Sequence, residues 1–150
     1  MKKLIPLLPL IIAAGLSQAA ANPVLDASIV VSEALTNDNL NAAKKAATAL
    51  AETAEAAGQK SIATHAAELA ASKTLEEARG HFKAVSEETV KLAAGQAGYV
   101  VMTCPMANAD WVQKTTKVQN PYMGQSMPAC GAIKDGKTSM GPPKKGGCCG

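Results

Sequence analysis

The residue types in this chain that can do chemistry are gathered in its last third. Cys104-Pro105-Met106 opens a stretch that closes with Met127-Pro128-Ala129-Cys130, and Asn120-Pro121-Tyr122-Met123-Gly124 lies just before that close. Apart from Met1, every methionine (Met102, Met106, Met123, Met127, Met140) and every cysteine lies beyond residue 101. Methionine used only as adaptable core filler would be spread along all the apolar faces. Thiol and thioether concentrated together form a soft donor set, which favours Cu(I) or Ag(I) over hard cations. A thioether has no proton to lose and cannot be locked into a disulfide, so it remains a donor in acidic or oxidising surroundings. Pro105 and Pro128 fix φ beside each cluster and limit the entropy lost when donors converge. The candidate ligands are Cys104, Met106, Met127 and Cys130, with Met123 as an additional donor.

A structural disulfide between Cys104 and Cys130 is the competing reading. By the loop-entropy relation it would contribute roughly 3–4 kcal/mol to a region with little core of its own. There is no Cys-x-x-Cys, so neither a zinc ribbon nor a thioredoxin-like redox motif is indicated. Cys148 and Cys149 are adjacent and close to the C-terminus, a poor place to staple a fold; they suggest an auxiliary capture arm, a vicinal disulfide or a thiol redox pair. His65 and His81 are far in sequence from the sulfur and read as surface or partly packed side chains. No carboxylate pair, nucleophile with a base, or phosphate-binding glycine loop is visible, so a non-enzymatic role is expected.

The positioning elements lie upstream. Met1-Lys2-Lys3, an apolar run from Leu4 to Leu16 and Ser17-Gln18-Ala19-Ala20-Ala21 have the three parts of a secretory signal peptide, assigned to residues 1–21. The run is too short for a comfortable membrane span. The expectation is therefore a mature protein without a spanning segment, exported most simply to a bacterial periplasm, an oxidising compartment. Loss of Lys2 and Lys3 takes the 15 basic residues to 13 against 12 acidic ones, which argues against a nucleic-acid partner.

Residues 22–134 read as one domain, and 135–150 as a Gly/Pro/Lys/Cys tail expected to be disordered. Pro23 to about Leu35 has helical spacing, with Val24, Leu25, Ile29 (or Ser28), Ser32 (or Val31) and Leu35 recurring. Thr36-Asn37-Asp38-Asn39 is a turn that can cap the next helix. Leu40, Ala43, Ala47, Leu50 and Ala54 form the stripe of a second helix ending near Gly58. Ile62, Ala66 and Leu69 face inward from a third over residues 61–71. Thr74-Leu75-Glu76-Glu77 is a capping box that starts a fourth helix running to about Ala94, with Leu75, Ala78, Phe82, Val85 and Leu92 inward. The fold class expected is all-α: a four-helix up-down bundle followed by a loop-rich Cys/Met segment. Within that segment only Tyr99–Thr103 is β-like, and Asp110-Trp111-Val112 and Ala132-Ile133 supply apolar anchors.

Arg79, Phe82 and Ser86, then Cys104-Pro105-Met106, Trp111, Asn120-Pro121-Tyr122, Gly124, Met127 and Cys130-Gly131, together resemble an exported family of unknown function. That family occurs alone or appended to heavy-metal efflux adaptor proteins of the CusB type, and the resemblance covers about residues 24–134. It implies a periplasmic copper- or silver-handling role with Cys104, Met106, Met127 and Cys130 at the matching sulfur positions. The implied partners are the metal ion and a heavy-metal efflux system or another copper protein. Met123 stands where an aromatic residue is usual, and Trp111-Val112-Gln113 replaces a usual Trp-Leu-Ser. The alternative function is a disulfide-stapled helical module that binds an envelope partner without metal.

Overall fold

The computed structural model describes residues 21–134. The body of the signal peptide and the tail with Met140, Cys148 and Cys149 lie outside the described residues. Four helices follow in order: α1 Pro23–Thr36, α2 Leu40–Ala56, α3 Lys60–Ala71 and α4 Leu75–Leu92. Each packs on the next, and α4 closes on α1.

Local signals set the helix ends. The Asn22 side chain accepts from the Val24 and Leu25 amides at 3.1 and 3.3 Å, and Pro23 occupies the first turn, where a missing N–H costs nothing. At the end of α1 the amides of Asp38 and Asn39 return to the carbonyls of Leu35 and Ala34. This is a Schellman closure, with Asp38 rather than glycine in the left-handed region at φ 54°. Asn39 then caps α2 through the Ala42 amide at 3.0 Å. Thr74 accepts the Glu77 amide at 3.1 Å as the capping box requires, but the Glu77 carboxylate reaches one residue further back, to the Lys73 amide at 2.8 Å.

The expected stripes are inside. Ala43, Ala47, Leu50 and Ala54 of α2, Ile62, Ala66 and Leu69 of α3, and Ala78, Phe82 and Val85 of α4 are all buried. The alanines let helices approach closely, while Leu25, Leu35, Leu50, Ile62, Leu69 and Phe82 carry most of the apolar burial, each contributing on the order of 1.5–3 kcal/mol. Helix α1 is buried on more than one side: Val24, Val31 and Leu35 join the main core, whereas Leu25 and Ile29 pack with Ala93 and Val112 in a second cluster.

The all-α expectation needs correction. A three-stranded antiparallel sheet follows the bundle, made of β1 Val100–Cys104, β2 Ala109–Gln113 and β3 Ala132–Ile133 in the order β2-β1-β3. Strand β1 pairs along its whole length with β2, from Val100 opposite Gln113 to Cys104 opposite Ala109. On its other edge Met102 and Thr103 face Ile133 and Ala132. The residues read as isolated apolar anchors are thus strands. Their pairing depends on contacts distant in sequence, and β3 is two residues long, too short for an alternation to show. The described residues form no helix long and apolar enough to cross a membrane.

Candidate metal centre

Strand β1 ends at Cys104, and a tight connection over Pro105–Asn108 leads into β2. The Asn108 amide returns to the Pro105 carbonyl at 3.3 Å, with Asn108 itself left-handed at φ 45°. This turn folds the Ala107 amide over the Cys104 sulfur at 3.5 Å and brings Met106 round to the same side. From the other edge of β1 the chain leaves β3 backwards through Gly131 to Cys130.

Gly131, at φ 139°, crosses where a Cβ would stand 2.8 Å from the Thr103 carbonyl oxygen and 2.9 Å from the Trp111 ring. Only glycine lets Cys130 come this close to β1. The result is a sulfur cluster: Cys104 Sγ lies 3.8 Å from Cys130 Sγ, and the Cys130 thiol points at Met106 Sδ from 3.7 Å. No disulfide joins the two cysteines, since that bond needs about 2.05 Å.

These separations can be tested against a metal. For a metal–thiolate bond of about 2.3 Å, donors sit about 3.8 Å apart in a tetrahedral array and about 4.0 Å apart in a trigonal one. A linear pair needs about 4.6 Å on the same bond length. The separations of Cys130 from Cys104 and from Met106 are closer to the tetrahedral and trigonal spacings than to the linear one. Among the described residues no three His, Cys, Asp or Glu side chains form a metal-holding group, so the donor set at this place depends on a thioether.

The expected ligands fare unequally. Cys104, Cys130 and Met106 come together. Met127 is 36% exposed, and its carbonyl accepts the Cys130 amide at 3.1 Å, but among the described residues no hydrogen bond joins its thioether to the two thiols. Met123 is half-buried against the main core and serves as packing, as does fully buried Met102 on β1. His65 and His81 share the Glu68 carboxylate at 3.0 and 3.4 Å on the outer face of α3 and α4, in keeping with their reading as partly packed surface side chains.

Asn120 is the residue that sequence reasoning undervalued. It is fully buried, and its Nδ2 donates to the Cys130 carbonyl at 2.5 Å. Its Oδ1 accepts the Tyr122 and Met123 amides at 2.9 and 3.1 Å, and its own amide donates to the Pro128 carbonyl at 2.9 Å. The available signal was an Asn placed before Pro, a residue type that folds its side chain onto the backbone two residues on. The Cys104 thiol feels this arrangement. Burial raises its pKa, but hydrogen bonds from the Ala107 amide, Asn120, Cys130 and the Met106 amide outweigh burial, and the net shift is downward. A thiol moved in that direction releases its proton to solvent more readily when its sulfur binds a metal.

The bundle holds this loop through one face of α4. Arg79 Nε donates to the Pro121 carbonyl at 2.8 Å, and its Nη2 reaches the Leu35 carbonyl at 3.0 Å and the Asp38 carboxylate. The other Asp38 oxygen takes the Gln125 amide at 3.0 Å. Gly124, left-handed at φ 55°, passes so close to Asp38 and Arg79 that a Cβ would overlap both. Phe82 packs at 5.8 Å and a 45° tilt against Tyr122, which meets Trp111 edge-on at 6.1 Å and donates to the Asp110 carbonyl at 2.9 Å. Burial raises the Tyr122 phenol, which keeps it a donor. Gln113, buried, accepts Trp111 Nε1 at 3.0 Å and donates to the carbonyls of Thr115 and Lys117, so it shapes the connection out of β2.

A helical domain carrying a sulfur hairpin on one face of α4 is the class of protein these observations define. Residues 24–97, which span the four helices, are similar to the family described as protein of unknown function (DUF3347). No curated protein and no solved structure matches the chain.

Proposed function

We propose that this protein binds Cu(I) or Ag(I) and either sequesters the ion or passes it to an efflux system or another copper protein in the periplasm. The observation that carries the reading is the approach of Cys130 to Cys104 and Met106 at 3.8 and 3.7 Å, from two stretches of the sequence more than twenty residues apart, beside a structure that spends a buried asparagine and a strained glycine on holding them. Two thiolates and a thioether suit a soft monovalent ion, whereas Zn(II) prefers thiolate, imidazole and carboxylate. The resemblance to proteins associated with heavy-metal efflux supports the same reading. Nothing in the chemistry of the site calls for an enzymatic step.

The test is competition for Cu(I) between reduced protein and a chromophoric chelator. One ion should bind per chain. Cys104→Ser should weaken binding most, because it removes a charged donor, and Met106→Leu should weaken it less while keeping the volume. Met127→Leu should have a smaller effect than Met106→Leu, because the Cys130 thiol donates to the Met106 sulfur. Absence of Cu(I) binding by reduced protein would end the proposal. The second reading, a disulfide-stapled envelope module, draws on the same 3.8 Å approach of the two thiols. It expects Met106→Leu to be silent and either cysteine change to destabilise the fold with or without copper.

A further inference from the structure

The three clustered sulfurs differ sharply in access. Cys104 is fully buried and Cys130 is 3% exposed, whereas Met106, at the tip of the β1–β2 connection, is 59% exposed. Among the described residues Met106 is thus the one sulfur of the cluster that meets solvent. Its backbone remains useful when its side chain moves, because the Met106 and Ala107 amides both support the Cys104 sulfur. Its unbranched side chain has three rotatable bonds and can swing without disturbing that support. The cysteines have no such freedom. Cys104 closes a fully paired strand, and the Cys130 carbonyl and amide are held by Asn120 and by Met127.

Building on the soft-metal reading above, we propose that Met106 is the exchangeable ligand of the site, and that the partner is a protein segment presenting a thioether which replaces Met106 on the ion while Cys104 and Cys130 stay bound. Charge selects a thioether over a thiolate. A neutral donor that replaces a neutral donor leaves the charge of the buried site unchanged, whereas a third thiolate beside two withdrawn ones would add an uncompensated buried charge. In the exchange a lone pair of the incoming sulfur forms a bond to the ion, and the bond from Met106 Sδ to the ion breaks. No proton moves, no electron is transferred, and the ion keeps its single positive charge.

Ag(I) gives a redox-silent test. In protein labelled with carbon-13 at the methionine methyl and cysteine β positions, Ag(I) should shift the signals of Cys104, Cys130 and Met106. Titration with N-acetylmethionine should then return the Met106 methyl toward its metal-free position while both cysteine signals stay shifted. Cysteine signals that return together with Met106 would overturn the proposal, because the ion would then be leaving whole. A Met106 methyl that does not move on loading would overturn it too. Failure of the cysteine signals to shift with Ag(I) would end both this inference and the soft-metal reading, and that outcome is visible before the probe is added. In Met106→Leu the tethered competitor is gone, so N-acetylmethionine should bind the loaded protein roughly tenfold more tightly or better. Unchanged affinity would refute the role given to Met106.

Discussion

Replacement of Asn120 should separate the stability of the sulfur loop from that of the bundle. Asn120→Ala removes the donor to the Cys130 carbonyl and the acceptor of the Tyr122 and Met123 amides, three bonds of 2.5, 2.9 and 3.1 Å around a fully buried side chain. At about 1 kcal/mol net for each, the loss is about 3 kcal/mol. For a domain of this size that corresponds to a fall of roughly 10 °C in melting temperature. Asn120→Asp is the sharper probe. It is nearly isosteric and keeps the two accepting interactions, but it turns an ionised oxygen toward the Cys130 carbonyl in place of a donor. The aspartate variant should be at least as unstable as the alanine variant near neutral pH and should recover as pH falls and its carboxyl regains a proton to donate.

Trp111, the single tryptophan, packs on Tyr122 beside the loop, so its fluorescence reports local loosening while helical circular dichroism reports the bundle. In both variants the fluorescence transition should precede the helical one, and Cu(I) affinity should fall with it. Coincident transitions at the wild-type midpoint, with Cu(I) binding intact, would refute the claim that Asn120 holds Cys130 in place.

Two further predictions concern the surroundings. The Lys114 ammonium, against the opposing effect of burial, and the Tyr99 hydroxyl hold the Asp26 carboxyl below its ordinary value of 3.8. A carboxyl lowered on folding stabilises the folded state above its unfolded pKa and loses that contribution as pH falls through the folded one. Comparison of melting curves for the wild type and Asp26→Asn should therefore show a gap at neutral pH that narrows only below about pH 3.8, and a gap that widens in acid would contradict the assignment. Gly131→Ala should cost about 2 kcal/mol through its left-handed φ and its collision with Thr103 and Trp111. Guanidinium unfolding followed by Trp111 fluorescence would measure the loss, and a wild-type midpoint would show that the backbone crossing is not as tight as described.

The bundle was legible because its information is local. Stripes such as Ala43, Ala47, Leu50 and Ala54 repeat at helical spacing, and Asn22, Asn39 and Thr74 cap through neighbours only a few residues away. Of the sheet only β1 was legible, in the β-like run Tyr99–Thr103; β2 carries polar Asp110 and Gln113 within five residues and β3 is only two residues long, and both exist through pairing with β1. The sulfur cluster was half legible. Residue type marked Cys104, Met106 and Cys130, but spacing alone could not tell Met106, which the β1–β2 turn brings to 3.7 Å from the Cys130 sulfur, from Met127, which has no such hydrogen bond among the described residues. Asp38 was read as part of a turn with capping oxygens. Its second task, binding Arg79 and Gln125, depends on segments 41 and 87 residues away, and no local pattern encodes that.

These long-range bonds bear on where the domain ends. The family match stops at residue 97, just after α4, and the sulfur cluster lies wholly beyond it. Yet Asp38 and Arg79, both inside the matched region, spend their hydrogen bonds on Pro121 and Gln125 outside it, and Phe82 offers its ring to Tyr122. A free bundle would leave the Arg79 guanidinium and the buried face of Phe82 without those partners. The loop, for its part, has little apolar burial beyond Met102, Trp111, Val112 and Tyr122, too little to order it without the helices. The four helices and the sulfur hairpin therefore depend on each other physically, and the bundle serves as the rigid support that keeps two thiols and a thioether within reach of one another.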